Sequence, residues 1–245
     1  MPIDAAVAAH DLEVAIRRVG TPERAASEKR YLKSDLTFLG ATVWKTQDLA
    51  KAFARANLLD HDNLVALVTA LWDAPIFERK MAAVQLLQLH PKLLGPSDLP
   101  LVELLLRESR TWALVDVLAT DVVGGIRTTD PSVRPVLDRW AVDPDFWIRR
   151  SSLLAELKQA TRGGDLEPFL SRADPMLDER EFFIRKAIGW VLREVSKKRP
   201  GEVTAWIAPR TGRASGVTMR EAVRYLPDAD RERLMAAYRE RRAAT

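Results

Sequence analysis

Four aromatic residues at nearly equal spacing constrain the fold of this chain more than any other feature. They lie 35, 35 and 36 residues apart, each near the start of a stretch with helical periodicity: Phe77, Trp112, Trp147 and Phe183. After three of these aromatic residues, at the second and third following positions, a basic pair recurs: Arg79-Lys80, Arg149-Arg150 and Arg185-Lys186. Such a period predicts a stacked helical solenoid, in which each helix pair buries one face against its neighbours and the second helices line a concave surface.

Helical periodicity continues along the chain, and no stretch alternates with period two for long enough to predict a sheet. Thr21, directly before Pro22, is the expected N-cap of the second helix. At 245 residues, 47% of them hydrophobic, the chain is long enough for one elongated domain or two small ones. The predicted fold class is all-α, with helices over roughly residues 4–19, 22–33, 46–57, 62–73, 76–89, 97–107, 109–119, 145–158, 180–198, 218–226 and 228–243.

Composition argues against several classes of protein. The chain has no apolar run of about 18 residues, so we expect no membrane-spanning segment. The N-terminus lacks a basic region followed by an apolar block, so we expect no secretory signal and a cytoplasmic location. The absence of cysteine excludes disulfides and thiolate ligands, and His10, His61 and His90 are scattered, so we predict neither a metal site nor a cofactor.

The net charge of +4 is unevenly distributed. Residues 141–245 hold 21 Lys and Arg against 16 Asp and Glu, whereas residues 1–140 hold 17 against 18. The positive excess in the C-terminal part favours a polyanionic partner there, although solvated arginine-rich helices have the same composition.

One predicted helix holds an indole and a carboxylate four residues apart. On a helix, Trp112 and Asp116 lie roughly 40° from each other around the axis, while Leu114, Val117 and Leu118 fall on the other side and are expected to face the core. A lone carboxylate that faces a basic groove would indicate chemistry. The alternatives are that the tryptophan is a packing aromatic of the repeat and that the carboxylate is solvated or ion-paired.

The predicted helix over residues 180–198 is basic on one side. Its apolar stripe consists of Ile184, Ala187, Ile188, Val191 and Val195. The opposite face carries Lys186, Trp190, Arg193 and Lys197 within roughly 60° of arc. Cations around an aromatic side chain are suited to phosphates and a sugar or base, and the alternative is a tryptophan packed against the next repeat under the stems of Lys and Arg.

A third predicted helix, over residues 145–158, adds two further cations. On this helix Arg150 and Lys158 lie within roughly 80° of each other, whereas Arg149 and Lys158 are roughly opposed. We therefore expect Arg150 to point into the groove and Arg149 to tie the repeat together. The alternative is that both arginines form structural ion pairs.

These segments resemble the AlkD-like DNA glycosylases, an alkylation-repair family built of HEAT-like helical repeats. The resemblance rests on Trp112-Ala-Leu-Val-Asp116, on Phe146-Trp-Ile-Arg-Arg150 followed by Leu157-Lys158, on residues 181–194, and on residues 31–40. It implies a single domain over residues 1–245, folded as a right-handed superhelical solenoid of HEAT-like antiparallel helix pairs with a concave basic groove.

The resemblance also implies a function. The family removes N3- and N7-alkylated purines, such as 3-methyladenine and 7-methylguanine, from duplex DNA without flipping the base into a pocket. Its catalytic tryptophan–aspartate pair falls on Trp112 and Asp116, and its second active-site tryptophan on Trp190. DNA contacts are implied for Arg150, Lys158, Arg193 and Tyr31; we add Lys186 and Lys197 from the helix face. A monomer acting on double-stranded DNA is expected.

One segment departs from the family pattern, and two other functions stay open. Residues 41–48 carry Trp44 where relatives have a proline-containing turn and an arginine, which affects the N-terminal DNA contacts and the range of lesions. A non-catalytic helical-repeat scaffold that binds DNA or protein would not need Asp116. A glycosylase for bulky N3 adducts, as in self-resistance to DNA-alkylating natural products, would share all these residues.

Overall fold

The computed structural model describes residues 3–243 and is helical throughout, which confirms the all-α prediction. Across the described residues the only β-type pairing is an isolated bridge between Thr37 and Ile76. Contacts divide the chain into two compact units, Met1–Ile126 and Arg127–Thr245. Within residues 3–243, each helix is too short or too polar to cross a bilayer.

Unit 1 contains seven α-helices and the start of an eighth in its described part: α1 (Ala5–Val19), α2 (Pro22–Leu32), α3 (Val43–Ala56), α4 (His61–Trp72), α5 (Phe77–Leu89), α6 (Leu99–Arg107), α7 (Trp112–Val117) and α8 (Gly124–Thr129). Short 3-10 turns, Pro91–Leu93 and Pro96–Asp98, connect α5 to α6. A π-helical segment, Leu118–Val123, joins α7 to α8 without a break. The bounds of α1 to α7 are close to those predicted, whereas α8 was not predicted.

Unit 2 begins within α8 and continues with α9 (Arg134–Trp140), α10 (Phe146–Leu154), α11 (Leu157–Thr161), α12 (Glu167–Met176), α13 (Phe182–Ser196), α14 (Pro200–Ile207), α15 (Gly216–Ala222) and α16 (Asp228–Ala243). The prediction of one helix over residues 145–158 is wrong, because the chain turns at Ala155 and Glu156 between α10 and α11. The angle predicted between Arg150 and Lys158 assumed an unbroken helix and is therefore not valid.

Side-chain caps define the starts of many helices. Thr21 accepts a hydrogen bond from the Arg24 amide at the start of α2, as predicted from Thr-Pro. Thr111 caps α7 through the Ala113 amide, and Glu181 caps α13 through the Phe183 amide. Because these caps satisfy amides that have no partner within the helix, they set the residue at which each functional helix begins.

One helix lies at the centre of each unit. In unit 1, α5 packs against α1, α3, α4 and α7, and nearly all its side chains are buried. In unit 2, α13 packs against α10, α11, α12, α14 and α15. Its predicted apolar stripe, from Ile184 to Val195, is wholly buried, so the opposite face is the one available for other roles.

The basic pairs of the repeat have a consistent structural role. The first arginine of each pair donates to backbone carbonyl oxygens just before its own helix: Arg79 to Ala70 and Leu71, Arg149 to Asp143 and Pro144, and Arg185 to Glu179. Arg149 also forms a two-point ion pair with Glu179. This confirms the prediction that Arg149 ties its repeat together.

The second basic residue of each pair donates a hydrogen bond to an acceptor about one repeat further along the chain. The donors and acceptors are Lys80 Nζ and the Glu108 carbonyl at 3.3 Å, Arg150 Nη1 and the Phe183 carbonyl at 2.5 Å, and Lys186 Nζ and Glu221 Oε1 at 2.5 Å. In the repeat that starts at Trp112, the same register holds Leu114 and Val115, both fully buried. That repeat is held by apolar packing at the positions where the others have charged groups.

A buried glutamate fixes the loop between α2 and α3. Glu78 of α5 is fully buried, and its carboxylate accepts hydrogen bonds from the amides of Leu39 and Gly40. Burial raises the pKa of Glu78, against the opposing effect of these backbone hydrogen bonds. Gly40 has φ of 81°, and a Cβ there would lie 2.0 Å from the Thr21 carbonyl oxygen. The loop is therefore held by the Glu78 carboxylate on one side and by close contact with the backbone of Thr21 on the other.

We expect Gly40→Ala to lower the free energy of unfolding by roughly 3 kcal/mol or more, because the new methyl group would displace backbone as well as strain φ. Gly163 is the matched control: its φ is 86°, but a Cβ would meet nothing within 4 Å. Gly163→Ala should cost only about 1 kcal/mol. Urea unfolding measures both, and equal losses would mean that the loop yields to the added methyl group.

Candidate functional site

In unit 1, α7 presents Trp112 and Asp116 on successive turns. Both residues are partly exposed, whereas Leu114, Val115 and Leu118 are fully buried. The indole and carboxylate therefore lie on the side of the helix that is not used for core packing. The prediction that Val117 belongs to the core is wrong, since it is half-buried and Val115 takes that place.

The Trp112 indole has an aromatic neighbour. The ring of Tyr31, at the end of α2, packs edge-on against it with the ring centroids 5.9 Å apart and the planes at 84°. This geometry is favourable for aromatic pairs. Tyr31 is 70% exposed, so most of its surface is open to a ligand. The structure thus brings three predicted site residues, Tyr31, Trp112 and Asp116, into one region of unit 1.

The backbone changes its winding directly after this pair. The segment Leu118–Val123 is π-helical, and the Thr120 hydroxyl donates to the Asp116 carbonyl at 2.7 Å. Such segments insert an extra residue into a helix and are frequent at functional sites. The sequence contains no proline or glycine within 118–123 that would have predicted it.

In unit 2, Lys186, Trp190 and Arg193 lie on α13, and Lys197 directly follows its last residue. Trp190 is half-buried, while Lys197 is exposed and lies with its Nζ 4.9 Å from the ring centroid of Tyr225. We define these four residues as the basic face of α13. It combines an indole with three cations on the side of the helix opposite the buried stripe.

Two carboxylates are interleaved with these cations. Glu221 of α15 accepts from both Lys186 and Arg193, and Glu194 accepts from Arg193 at 3.0 Å and from Lys197 at 2.5 Å. The chain of charges alternates in sign and has a net charge of only one positive unit. Neither acidic partner was predicted, although Glu221 follows Lys186 by 35 residues, which is the repeat period.

Arg150 is more deeply buried than predicted. Its residue is 3% exposed, its guanidinium donates to the Phe183 carbonyl, and its Cζ is 5.8 Å from the Phe183 ring centroid. The guanidinium of Arg150 is thus directed at the next repeat. A phosphate contact by Arg150 stays a prediction.

Lys158 is half-exposed on α11, and two residues before it in the chain Glu156 belongs to a buried network of charged side chains. Glu156, 1% exposed, accepts from Arg127 at 3.2 Å and from Arg172 at 2.7 Å, and Arg172 also donates to Asp138. This network holds the turn between α10 and α11, so it sets where Lys158 projects. This network was not predicted, because no local pattern in the sequence marks these charges as buried.

Within residues 3–243, no three histidine, aspartate or glutamate side chains converge in a way that would hold a metal ion. The chemistry available to the described site residues is that of carboxylates, indoles, a phenol and cations. The predicted site residues fall into two sets, one in each unit: Tyr31, Trp112 and Asp116 in unit 1, and Arg150, Lys158, Lys186, Trp190, Arg193 and Lys197 in unit 2.

Comparison with known proteins identifies relatives. A family model described as DNA alkylation repair enzyme matches residues 12–226. A solved structure titled predicted DNA alkylation repair enzyme, from Enterococcus faecalis, has a TM-score of 0.77 at 22% identity, covering 85% of this chain and 97% of that chain. AlkD2 from Streptococcus mutans has a TM-score of 0.60 at 16% identity, with 82% and 99% covered. At these identities the likeness to solved structures shows a shared fold. No curated protein sequence matches the chain.

Proposed function

The chain belongs to the DNA alkylation repair enzyme family, and on that basis we propose that it is a monofunctional DNA glycosylase. Its substrates are cationic N3- and N7-alkylated purines in duplex DNA, of the 3-methyladenine and 7-methylguanine type. It hydrolyses the N-glycosidic bond, needs no cofactor, acts as a monomer, and leaves the base outside any enclosing pocket. A cytoplasmic location with association to DNA is part of the same proposal.

The observation that carries this proposal is the pair Trp112 and Asp116 on the partly exposed side of α7. A carboxylate next to an indole, with an exposed tyrosine packed against that indole, is suited to a sugar that gains positive charge. Opposite charge and an aromatic face both stabilise a developing cation. A purely structural helix would not need this combination outside its core.

The chemistry of the lesion explains why such a sparse site suffices. Alkylation at N3 or N7 gives the purine a positive charge, so the base leaves as a neutral molecule without a proton from a general acid. As the C1′–N bond lengthens, positive charge develops on the deoxyribose. Asp116 stabilises that charge and orients the attacking water, and Trp112 packs against the sugar.

Residues of unit 2 have supporting roles in the proposal. Trp190 offers a second indole to the DNA, and the cations of α13, together with Lys158 and Arg150, neutralise phosphates. Phosphate contacts position a protein on the duplex without reading the base sequence, which suits an enzyme that must find a lesion anywhere. Tyr31 contributes a further contact beside Trp112.

Base release tests the function directly. The protein is incubated with duplex DNA that carries 7-methylguanine or 3-methyladenine, and the freed bases are identified by mass spectrometry. We expect release of both. A parallel substrate with a bulky N3 adduct determines whether the enzyme is specialised for large lesions. No release of any alkylated base above the spontaneous rate would contradict the proposal.

A non-catalytic DNA-binding scaffold is the second candidate, and one observation favours it. The cations of α13 and Arg150 are engaged in ion pairs or carbonyl contacts, as structural residues would be. Such a scaffold would bind duplex DNA and release no base, so the same assay separates the two candidates.

Binding to duplex DNA should weaken steeply with salt, because phosphate contacts displace counterions. We expect Lys158→Ala to reduce the slope of log K against log salt by about 0.9, the value for one lost phosphate contact. Lys92, exposed in a 3-10 turn of unit 1, is the matched control, and Lys92→Ala should leave the slope unchanged. Fluorescence anisotropy measures both slopes. A flat response in the wild type would exclude a phosphate-binding surface.

A further inference from the structure

The basic face of α13 is neutralised by a residue of another helix. Lys186 Nζ lies 2.5 Å from Glu221 Oε1, and Arg193 Nη1 donates to the other oxygen of the same carboxylate. One carboxylate therefore bridges two of the cations proposed to bind phosphate. In size, charge and two-point geometry it takes the place that a phosphate would take between them.

Close helix packing holds Glu221 in this position. Gly189 lies on α13 between Lys186 and Arg193, and a Cβ there would be 2.7 Å from Glu221 Cβ and 3.1 Å from Thr218 Cα. The Thr218 hydroxyl adds a hydrogen bond from α15 to the Arg185 carbonyl at 3.0 Å. The side chain of Glu221 is only 14% exposed, so its position is set by packing rather than by solvent.

Glu221 is charged in this environment. Burial alone would raise its pKa, but the hydrogen bond from Lys186 and the positive charge of Arg193 outweigh burial and hold the pKa below its ordinary value. The carboxylate is therefore ionised at neutral pH, and its negative charge is present whenever a DNA duplex approaches α13.

We propose that Glu221 is a specificity-determining residue that limits the binding of undamaged DNA by competing with phosphate for Lys186 and Arg193. The inference rests on the proposed function in DNA repair. A glycosylase meets a vast excess of normal duplex, and electrostatic phosphate binding makes no distinction between damaged and normal sites. A carboxylate that occupies Lys186 and Arg193 lowers this non-specific affinity for duplex DNA.

Competition predicts a definite change in salt dependence. A phosphate can use Lys186 and Arg193 fully only after the carboxylate has been displaced or neutralised. Removing its charge makes up to two further phosphate contacts available, and each adds about 0.9 to the slope of log K against log salt. A residue that only supported the fold would not alter this slope.

The test uses Glu221→Gln in the full chain, since glutamine keeps the size and packing of the side chain. We expect affinity for undamaged duplex at low salt to rise roughly tenfold and the salt slope to steepen by about 1 to 2. The ratio of affinities for lesion-containing and undamaged duplex should fall. Glu202→Gln is the matched control, because Glu202 is an exposed partner of Arg199 on α14 and its loss removes the same charge.

Each outcome is decisive. Equal changes in Glu221→Gln and Glu202→Gln would mean that only net charge matters, which overturns the role of Glu221. An unchanged or reduced affinity in Glu221→Gln would mean that the carboxylate holds the cations ready for phosphate, which also overturns it. Wild-type protein that fails to bind duplex DNA at all would overturn the proposed function itself. Circular dichroism of each variant verifies that the fold is retained.

Discussion

Asp116→Asn is expected to remove most release of 7-methylguanine from methylated duplex DNA, with a rate loss of at least about 100-fold. The substitution keeps the size of the side chain and removes the charge that stabilises the sugar cation, and electrostatic groups of this kind contribute roughly 10²–10³ in rate. Affinity for the duplex should change little, because the carboxylate contributes no phosphate contact. Single-turnover release of the base, measured with enzyme in excess, isolates the chemical step.

Asp121→Asn is the matched control for this prediction. Asp121 lies in the π-helical segment that follows α7 and accepts a hydrogen bond from Gln88, which the amide oxygen of asparagine can still accept. We expect this variant to release 7-methylguanine at the wild-type rate. Equal rates for Asp116→Asn and the wild type would exclude a catalytic carboxylate on α7 and leave the scaffold function as the better candidate.

Glu156→Ala is expected to cause a large loss of stability in unit 2. It removes the carboxylate that pairs with both Arg127 and Arg172, which are 5% and 4% exposed. Arg172 keeps its pair with the exposed Asp138, but the two buried guanidinium groups lose the carboxylate between them. Breaking a buried pair in this way costs about 3–5 kcal/mol. For a chain of this size the melting temperature should fall by roughly 10 °C, measured by circular dichroism at 222 nm.

An exposed ion pair in the same unit provides the comparison. Arg199 and Glu202 form a two-point pair, but the Glu202 side chain is 53% exposed. Water compensates for the loss of such a pair, so Glu202→Ala should leave the melting temperature almost unchanged. If the two variants melted at the same temperature, the buried network would contribute no more than a surface pair, and the turn before Lys158 would depend on other contacts.

Local patterns were sufficient to predict most of the helices and the faces of α7 and α13. Helical periodicity and caps such as Thr21 act within one or two turns, so they can be recognised in the sequence alone. The same holds for Trp112 and Asp116, whose shared face follows from their spacing within a single helix. Resemblance to a known family extended the prediction to individual roles, such as that of Trp190.

Features that depend on distant contacts could not be predicted in this way. The break before α11 lies at Glu156, which is buried against arginines that lie 29 residues before it and 16 after it in the chain. The burial of Arg150 depends on a carbonyl 33 residues further along the chain. Tyr31 and Trp112 are brought together only by the packing of unit 1. In each case the deciding interaction is tertiary, so the local sequence is compatible with either outcome.

The basic pairs have a consequence for the modularity of the chain. Each pair donates hydrogen bonds both to the segment before its helix and to the next repeat. The donors and acceptors of these bonds therefore lie in different copies of the repeat. A protein engineer who transplants such a copy must transfer the matching carbonyls and carboxylates with it. The copy that has Leu114 and Val115 in that register contributes no donor from these two positions, so an altered reaction centre could be grafted there with fewer changes to the neighbouring copies.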